Sequence, residues 1–133
     1  MVVAITFGTF DLFHIGHLNI IERSKKWADK LIVGVSSDEL NFEKKNKYPI
    51  YNYENRSDII KSLKCVDSVF KEESLDKKRE YILEYSADIL IMGDDWEGKF
   101  DHLKDICSVI YLPRTPSIST SETIEKIILI NDK

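Results

Sequence analysis

A chain of 133 residues of which 43% are apolar is one domain's worth of sequence, with enough apolar area to bury a core without metal or disulfide staples. That balance, with only five glycines and three prolines, argues against disorder and low complexity, and a net charge of −4 argues against a general binder of nucleic acid or anionic membrane. No repeat or composition break divides residues 1–133, so a single domain is expected.

In chain order, short apolar runs alternate with helical patterns. Residues 2–7 (VVAITF) have no basic residue before them and are too short for a secretory leader, so they read as a strand. Further continuous apolar runs at 30–36, 68–71, 89–92 and 108–112 read as strands covered on both faces. Between them, helical spacing recurs at Leu18, Ile21 and Ala28, at Ile59, Ile60 and Leu63, and at Tyr81, Ile82 and Tyr85. A last helix is expected over 121–130, opened by the capping pattern Ser119-x-x-Glu122. This alternation predicts an α/β, Rossmann-like fold: a five-stranded parallel sheet with helices on both faces. No run reaches the ~18 apolar residues of a membrane span. Cys65 and Cys107 follow no metal spacing and read as inert thiols of a reduced, cytoplasmic protein.

In such sheets ligands bind beyond the carboxyl ends of the strands, so chemistry is expected in residues 8–17, 37–53, 93–100 and 113–120. The first of these reads Gly8-Thr9-Phe10-Asp11-Leu12-Phe13-His14-Ile15-Gly16-His17. Gly8 permits a sharp turn after the strand, and Gly16 permits close approach of a ligand to the helix start. His14 and His17, three apart, share one side of that start, where unpaired N–H groups and the dipole favour an anion. Two imidazole donors there suit a phosphate during transfer. A zinc pair is the rival reading, but no third ligand cluster accompanies it, and His102 lies far along the chain. Arg114 is a planar fork for phosphate oxygens, and Ser119 and Thr120 offer hydroxyls at a second helix N-terminus. Lys44-Lys45-Asn46-Lys47 reads either as a solvated charge run or, above the crevice, as a phosphate clamp. Arg56 and Arg79 read as surface helix positions.

The G-T-F-D-x-x-H-x-G-H element resembles the signature of the HxGH nucleotidyltransferase superfamily, in its cytidylyltransferase form. Class I aminoacyl-tRNA synthetases share the element but need more chain than this. The runs GDDWEGKFD (93–101) and YLPRT…IST (111–120) resemble the members of that family that take glycerol 3-phosphate, and the likeness spans almost the whole chain. The resemblance implies that Thr9, Phe10, Asp11, His14, Ile15, Gly16, His17, Arg114, Thr115, Ser119 and Thr120 bind nucleotide. It implies that His14, His17, Lys44 and Arg114 carry catalysis, with Lys44 in a flexible loop, and that Lys44 and Lys77 contact the acceptor. The implied substrates are CTP and sn-glycerol 3-phosphate, giving CDP-glycerol and pyrophosphate for teichoic acid or capsule polymers. Mg²⁺ is the implied cofactor, held mainly through CTP phosphates, with Asp11 the carboxylate nominated to touch it; a homodimer is implied as well. Ser117, after Pro116, stands where the family has glycine, and Asn46 where it has a basic residue. The rival functions are a cytidylyltransferase for another small phosphorylated alcohol and a catalytically silent nucleotide-binding subunit.

Overall fold

The computed structural model describes residues 1–115 and 119–131. Five parallel strands carry the fold: β1 (Val3–Gly8), β2 (Lys30–Ser36), β3 (Ser68–Glu72), β4 (Ile89–Gly93) and β5 (Ser108–Leu112). Their order across the sheet is β3-β2-β1-β4-β5. The chain builds outward from β1 in one direction, then crosses to β4 and builds outward in the other. The reversal leaves a crevice beyond the carboxyl ends of β1 and β4, the topological switch point.

The strands are continuous apolar runs because both faces are covered. On one face Ala4, Leu31, Val33, Val35 and Ile91 pack with Ile21 of α1 (Ile15–Lys25) and Ile60 of α3 (Tyr53–Lys61). On the other, Ile5, Phe7, Ile32, Leu90 and Met92 pack with Ile82 of α4 (Lys78–Glu84) and with Leu103. Alternate residues of each strand therefore serve opposite layers, as the pleat dictates. Cys65 packs against the first layer and Cys107 against the second, both as free thiols, and burial raises the pKa of each.

The expected architecture is present, with one element added. Residues 38–45, read as loop, form helix α2 (Asp38–Lys45). Ser37 caps it by accepting from the Leu40 N–H, Asp38 and Glu39 occupy its first turn, and Lys44 and Lys45 its last. Its apolar side is only Leu40 and half-exposed Phe42, too little for a periodic signal. A 3₁₀ turn (Leu75–Lys77) precedes α4, and α5 (Thr120–Asn131) closes the fold, with Ser119 Oγ accepting from the Glu122 N–H as the capping pattern requires. Among the described residues no helix is long and apolar enough to cross a membrane.

Candidate active site

The crevice is a cleft of about 770 Å³, ample for a nucleotide and a small second substrate. Its first wall is the loop between β1 and α1. The Phe10 ring lies over Gly8, where an added Cβ would sit 2.7 Å from ring carbon. Gly8 is thus required by close packing rather than by the sharp turn its position suggested. Phe10 and Leu12 take left-handed backbone angles (φ 54 and 48), a strained path held by neighbours. Asp11 is one such neighbour: its carboxylate accepts from the backbone N–H groups of Leu12, Ile50 and Tyr51 at 2.7–3.1 Å. Arg56 is the other. Although it sits on α3 where a surface position was expected, it is fully buried. It donates to Thr9 O at 2.8 Å, Tyr51 O at 2.9 Å and Asp38 Oδ1 at 2.6 Å. The correction has a simple cause. Arg56, Ile60 and Leu63 are spaced by four and three, so the arginine continues the apolar face inward.

His14 and His17 open α1 as a stacked pair, ring centroids 3.8 Å apart and 21° from parallel. Nδ1 of His14 accepts from the Gly16 N–H at 3.0 Å, and Nδ1 of His17 accepts from the His14 N–H at 3.2 Å. A neutral imidazole whose Nδ1 accepts must carry its proton on Nε2. Both rings therefore present Nε2–H donors, and His14 Nε2 is buried with no protein partner among the described residues. Burial pushes the His17 pKa down to about 4, reinforced by the neighbouring His14 and by Lys45, with Asp11 opposing; Phe10 and Phe13 flank the ring at 5.5 and 5.6 Å. Burial lowers His14 as well. The pair is neutral at pH 7, a set of directional donors rather than cations.

The facing floor is charged. Lys44 on α2 reaches Ser36 Oγ at 3.1 Å, and Lys78 at the start of α4 reaches Glu72 Oε2 at 2.7 Å. Lys78 lines the cleft and is 5% exposed, whereas Lys77 ends the preceding 3₁₀ turn, faces solvent and is not in the lining. The structure thus brings Lys78, not Lys77, to the site, because Lys78, Ile82 and Tyr85 share the inward face of α4. Lys44 is on a helix rather than in a flexible loop. Asn46 follows as its left-handed C-cap (φ 57), a conformation asparagine tolerates better than a basic residue, which accounts for that departure from the family pattern.

The rim comes from the end of β5 and the start of α5. Arg114, Thr115, Ser119 and Thr120 all line the cleft. Thr120 Oγ1 donates to Asp11 O at 2.7 Å and Asn19 Nδ2 donates to Thr115 Oγ1 at 3.0 Å, tying this rim to the first loop and α1. Pro116 and Ser117 lie outside the described residues. Thr9, Phe10, Asp11, Gly16, Lys44 and both histidines share the lining, while Ile15 points away and is 52% exposed. His102 and Arg79 stand apart from the cleft, joined by an Arg79 bond to His102 O, with Arg79 paired to Asp105. Asp95, Trp96 and Glu72 line the cleft without having been nominated. Of these Glu72 left no signal, since its partners lie 36 positions back and six ahead.

Among the described residues no group of three or more His, Cys, Asp or Glu is placed to hold a metal, and three N–H donors already engage Asp11.

The chain is 47% identical over 123 residues to a glycerol-3-phosphate cytidylyltransferase of Bacillus subtilis, covering 92% of this chain and 95% of that protein. It is 44% identical over 118 residues to the Staphylococcus aureus enzyme of the same name, covering 89% of each. The fold superposes on a lipopolysaccharide core biosynthesis protein from Thermoplasma volcanium with a TM-score of 0.73 at 25% identity, covering 86% of this chain and 98% of that one. Residues 5–126 match the cytidylyltransferase-like family, and the chain, with its histidine pair at the switch point, belongs to it.

Proposed function

We propose that the chain is a glycerol-3-phosphate cytidylyltransferase, converting CTP and sn-glycerol 3-phosphate to CDP-glycerol and pyrophosphate. The observation that carries the reading is the stacked, neutral histidine pair at the N-terminus of α1, with His14 Nε2 lacking a partner among the described residues, in a cleft that Lys44, Lys78 and Arg114 also line. The named relatives supply the acceptor.

In this reading an acceptor phosphate oxygen attacks the α-phosphorus of CTP in line. The new P–O bond forms as the bond to the β-phosphate oxygen breaks, and pyrophosphate leaves with that electron pair. The acceptor is already ionised at pH 7, so no strong base is needed. The Nε2–H groups of His14 and His17 donate to the α-phosphate and bridging oxygens as charge grows there. Arg114 and the start of α5 hold the β- and γ-phosphates, where a fixed guanidinium and unpaired N–H groups meet. Lys44 and Lys78 receive the acceptor phosphate from below. Mg²⁺ bound to the triphosphate would neutralise part of its charge.

A homodimer fits the exposed apolar side chains of Ile127, Ile128, Leu129 and Ile130 on α5, and light scattering on purified protein decides it. A cytoplasmic role in supplying a teichoic acid or capsule precursor follows from the same reading. The test is pyrophosphate release with each nucleoside triphosphate against a panel of phosphorylated alcohols. Turnover restricted to CTP with sn-glycerol 3-phosphate is expected; preference for another acceptor overturns the assignment.

A further inference from the structure

The floor of the cleft holds a carboxylate where an anion is to bind. Glu72 is 1% exposed and lines the cleft between two lysines. Its backbone is fixed by the sheet, paired in register with Ser36, and its carbonyl accepts from the Ser37 N–H at 2.9 Å. Oε2 accepts from Lys78 at 2.7 Å; Ser36 Oγ, which accepts from Lys44 at 3.1 Å, lies 3.5 Å from Oε1 and shares its hydrogen with Gly8 O at 3.4 Å. Strand β3 thus supplies one carboxylate that reaches the lysine of α4 directly and the lysine of α2 through one hydroxyl. We infer that Glu72 is a positioning residue which holds Lys44 and Lys78 together as charged ammonium groups aimed into the cleft, and so sets affinity for the acceptor's phosphate without touching it.

The reasoning is electrostatic. Two ammonium groups brought into one buried pocket repel, and burial already favours the neutral amine. Lys44 is pushed below the ordinary lysine range chiefly by burial. Of the groups that face it, Lys78, Lys45 and Arg56 push it further down, and Glu72 alone pushes it up. Lys78 also stands over the rings of Phe7 and Phe100 at 4.7 and 5.2 Å, an apolar setting that leaves Glu72 as its anionic anchor. A carboxylate acting only as a negative charge would repel phosphate, so its removal would tighten binding. Positioning predicts the opposite sign.

The inference rests on the acceptor reading above, and the experiment separates the two. Glu72→Gln keeps the shape and removes the charge. Steady-state pyrophosphate release should show the KM for sn-glycerol 3-phosphate rising about tenfold at pH 7 and more at pH 9, with the KM for CTP within about threefold. A fall in acceptor KM, no change, or an equal rise for CTP overturns it. Independently, ¹³C NMR titration of the lysine Cε resonances, assigned with Lys44→Ala, should show the Lys44 midpoint falling by about one unit in E72Q. An unchanged midpoint overturns it. If the wild type does not use glycerol 3-phosphate, the functional reading fails, and calorimetric titration with inorganic phosphate judges Glu72 instead: weaker binding in E72Q supports it, equal or tighter binding rejects it. Should E72Q not fold by circular dichroism, Glu72→Asp, which keeps the charge but shortens its reach, should give an intermediate rise in acceptor KM, and wild-type values reject the role.

Discussion

The two walls of the cleft offer an anion different kinds of donor. The histidine wall is built from one short loop, and its groups are neutral: each Nδ1 is occupied by a backbone N–H, and each Nε2–H is aimed by that bond. The lysine floor is assembled from three elements far apart in sequence, and its groups are cations balanced by a single carboxylate. Neutral, directional donors suit charge that moves between oxygens during the reaction, since they discriminate by position. Cations suit a phosphate whose charge is present from the start. The walls meet through Arg56, which binds Thr9 O on one side and Asp38 at the start of α2 on the other.

Breaking that strut should have the largest effect. Arg56→Ala empties a fully buried position and strands half-buried acceptors on both walls, and is expected to cost about 3–5 kcal/mol of folding stability, read by urea denaturation. Arg56→Lys should recover little, because one ammonium cannot serve three acceptors in a fixed fork.

On the histidine wall, His17→Ala should lower kcat by about 10²–10³-fold in a pyrophosphate-release assay. A variant with near wild-type turnover would remove the neutral donors from the chemistry.

The same wall carries a pH signature on the acid side of neutrality. The His17 pKa is pulled from the usual 6.5 to about 4 in the folded protein. Between those values the unfolded chain binds the proton and the native state does not, so acid favours unfolding. Stability from this residue is fully present above pH 6.5 and falls by about 3 kcal/mol as pH drops toward 4. Denaturation midpoints measured across that range should follow this slope in wild type and flatten in His17→Ala.

On the floor, Lys78→Ala should raise the acceptor KM about tenfold or more while moving the CTP KM less, and Lys77→Ala should leave both within about twofold. A reversed pattern would put the acceptor elsewhere. The smallest effect is expected at the C-cap of α2: Asn46→Gly should be nearly neutral, and Asn46→Val should cost about 1 kcal/mol, seen as a lower melting temperature.

Much of this was legible in the residues themselves. The five strands are, because a strand buried on both faces is a continuous apolar run whatever its partners are. The histidine wall is too: His14 and His17 lie within one turn of each other, so their common side is a local property of the chain. The resemblance carried by the first loop and by the GDDWEGKFD and YLPRT…IST runs names the family, and the matching relatives agree.

What needed the tertiary structure is the meaning of each charge. Arg56 was read as a surface helix position and Lys77 was carried over from the family resemblance, neither with regard to which face turned inward; the inward positions are Arg56 and Lys78. Both lie four residues before a core isoleucine, a clue that only becomes decisive once Ile60 and Ile82 are known to be buried. Helix α2 escaped for lack of an apolar stripe, and with it the placement of Lys44. Asp11, nominated for a metal, spends its carboxylate on backbone N–H groups some 40 positions away. Local spacing sets which residues share a turn; long-range packing sets whether a charge meets solvent, a partner or a substrate. Glu72 is the clearest case. The sequence left it just past a strand expected over 68–71; the structure extends that strand to Glu72, and only the folding of β2, α2 and α4 around it turned an ordinary acid into the anchor of a phosphate site.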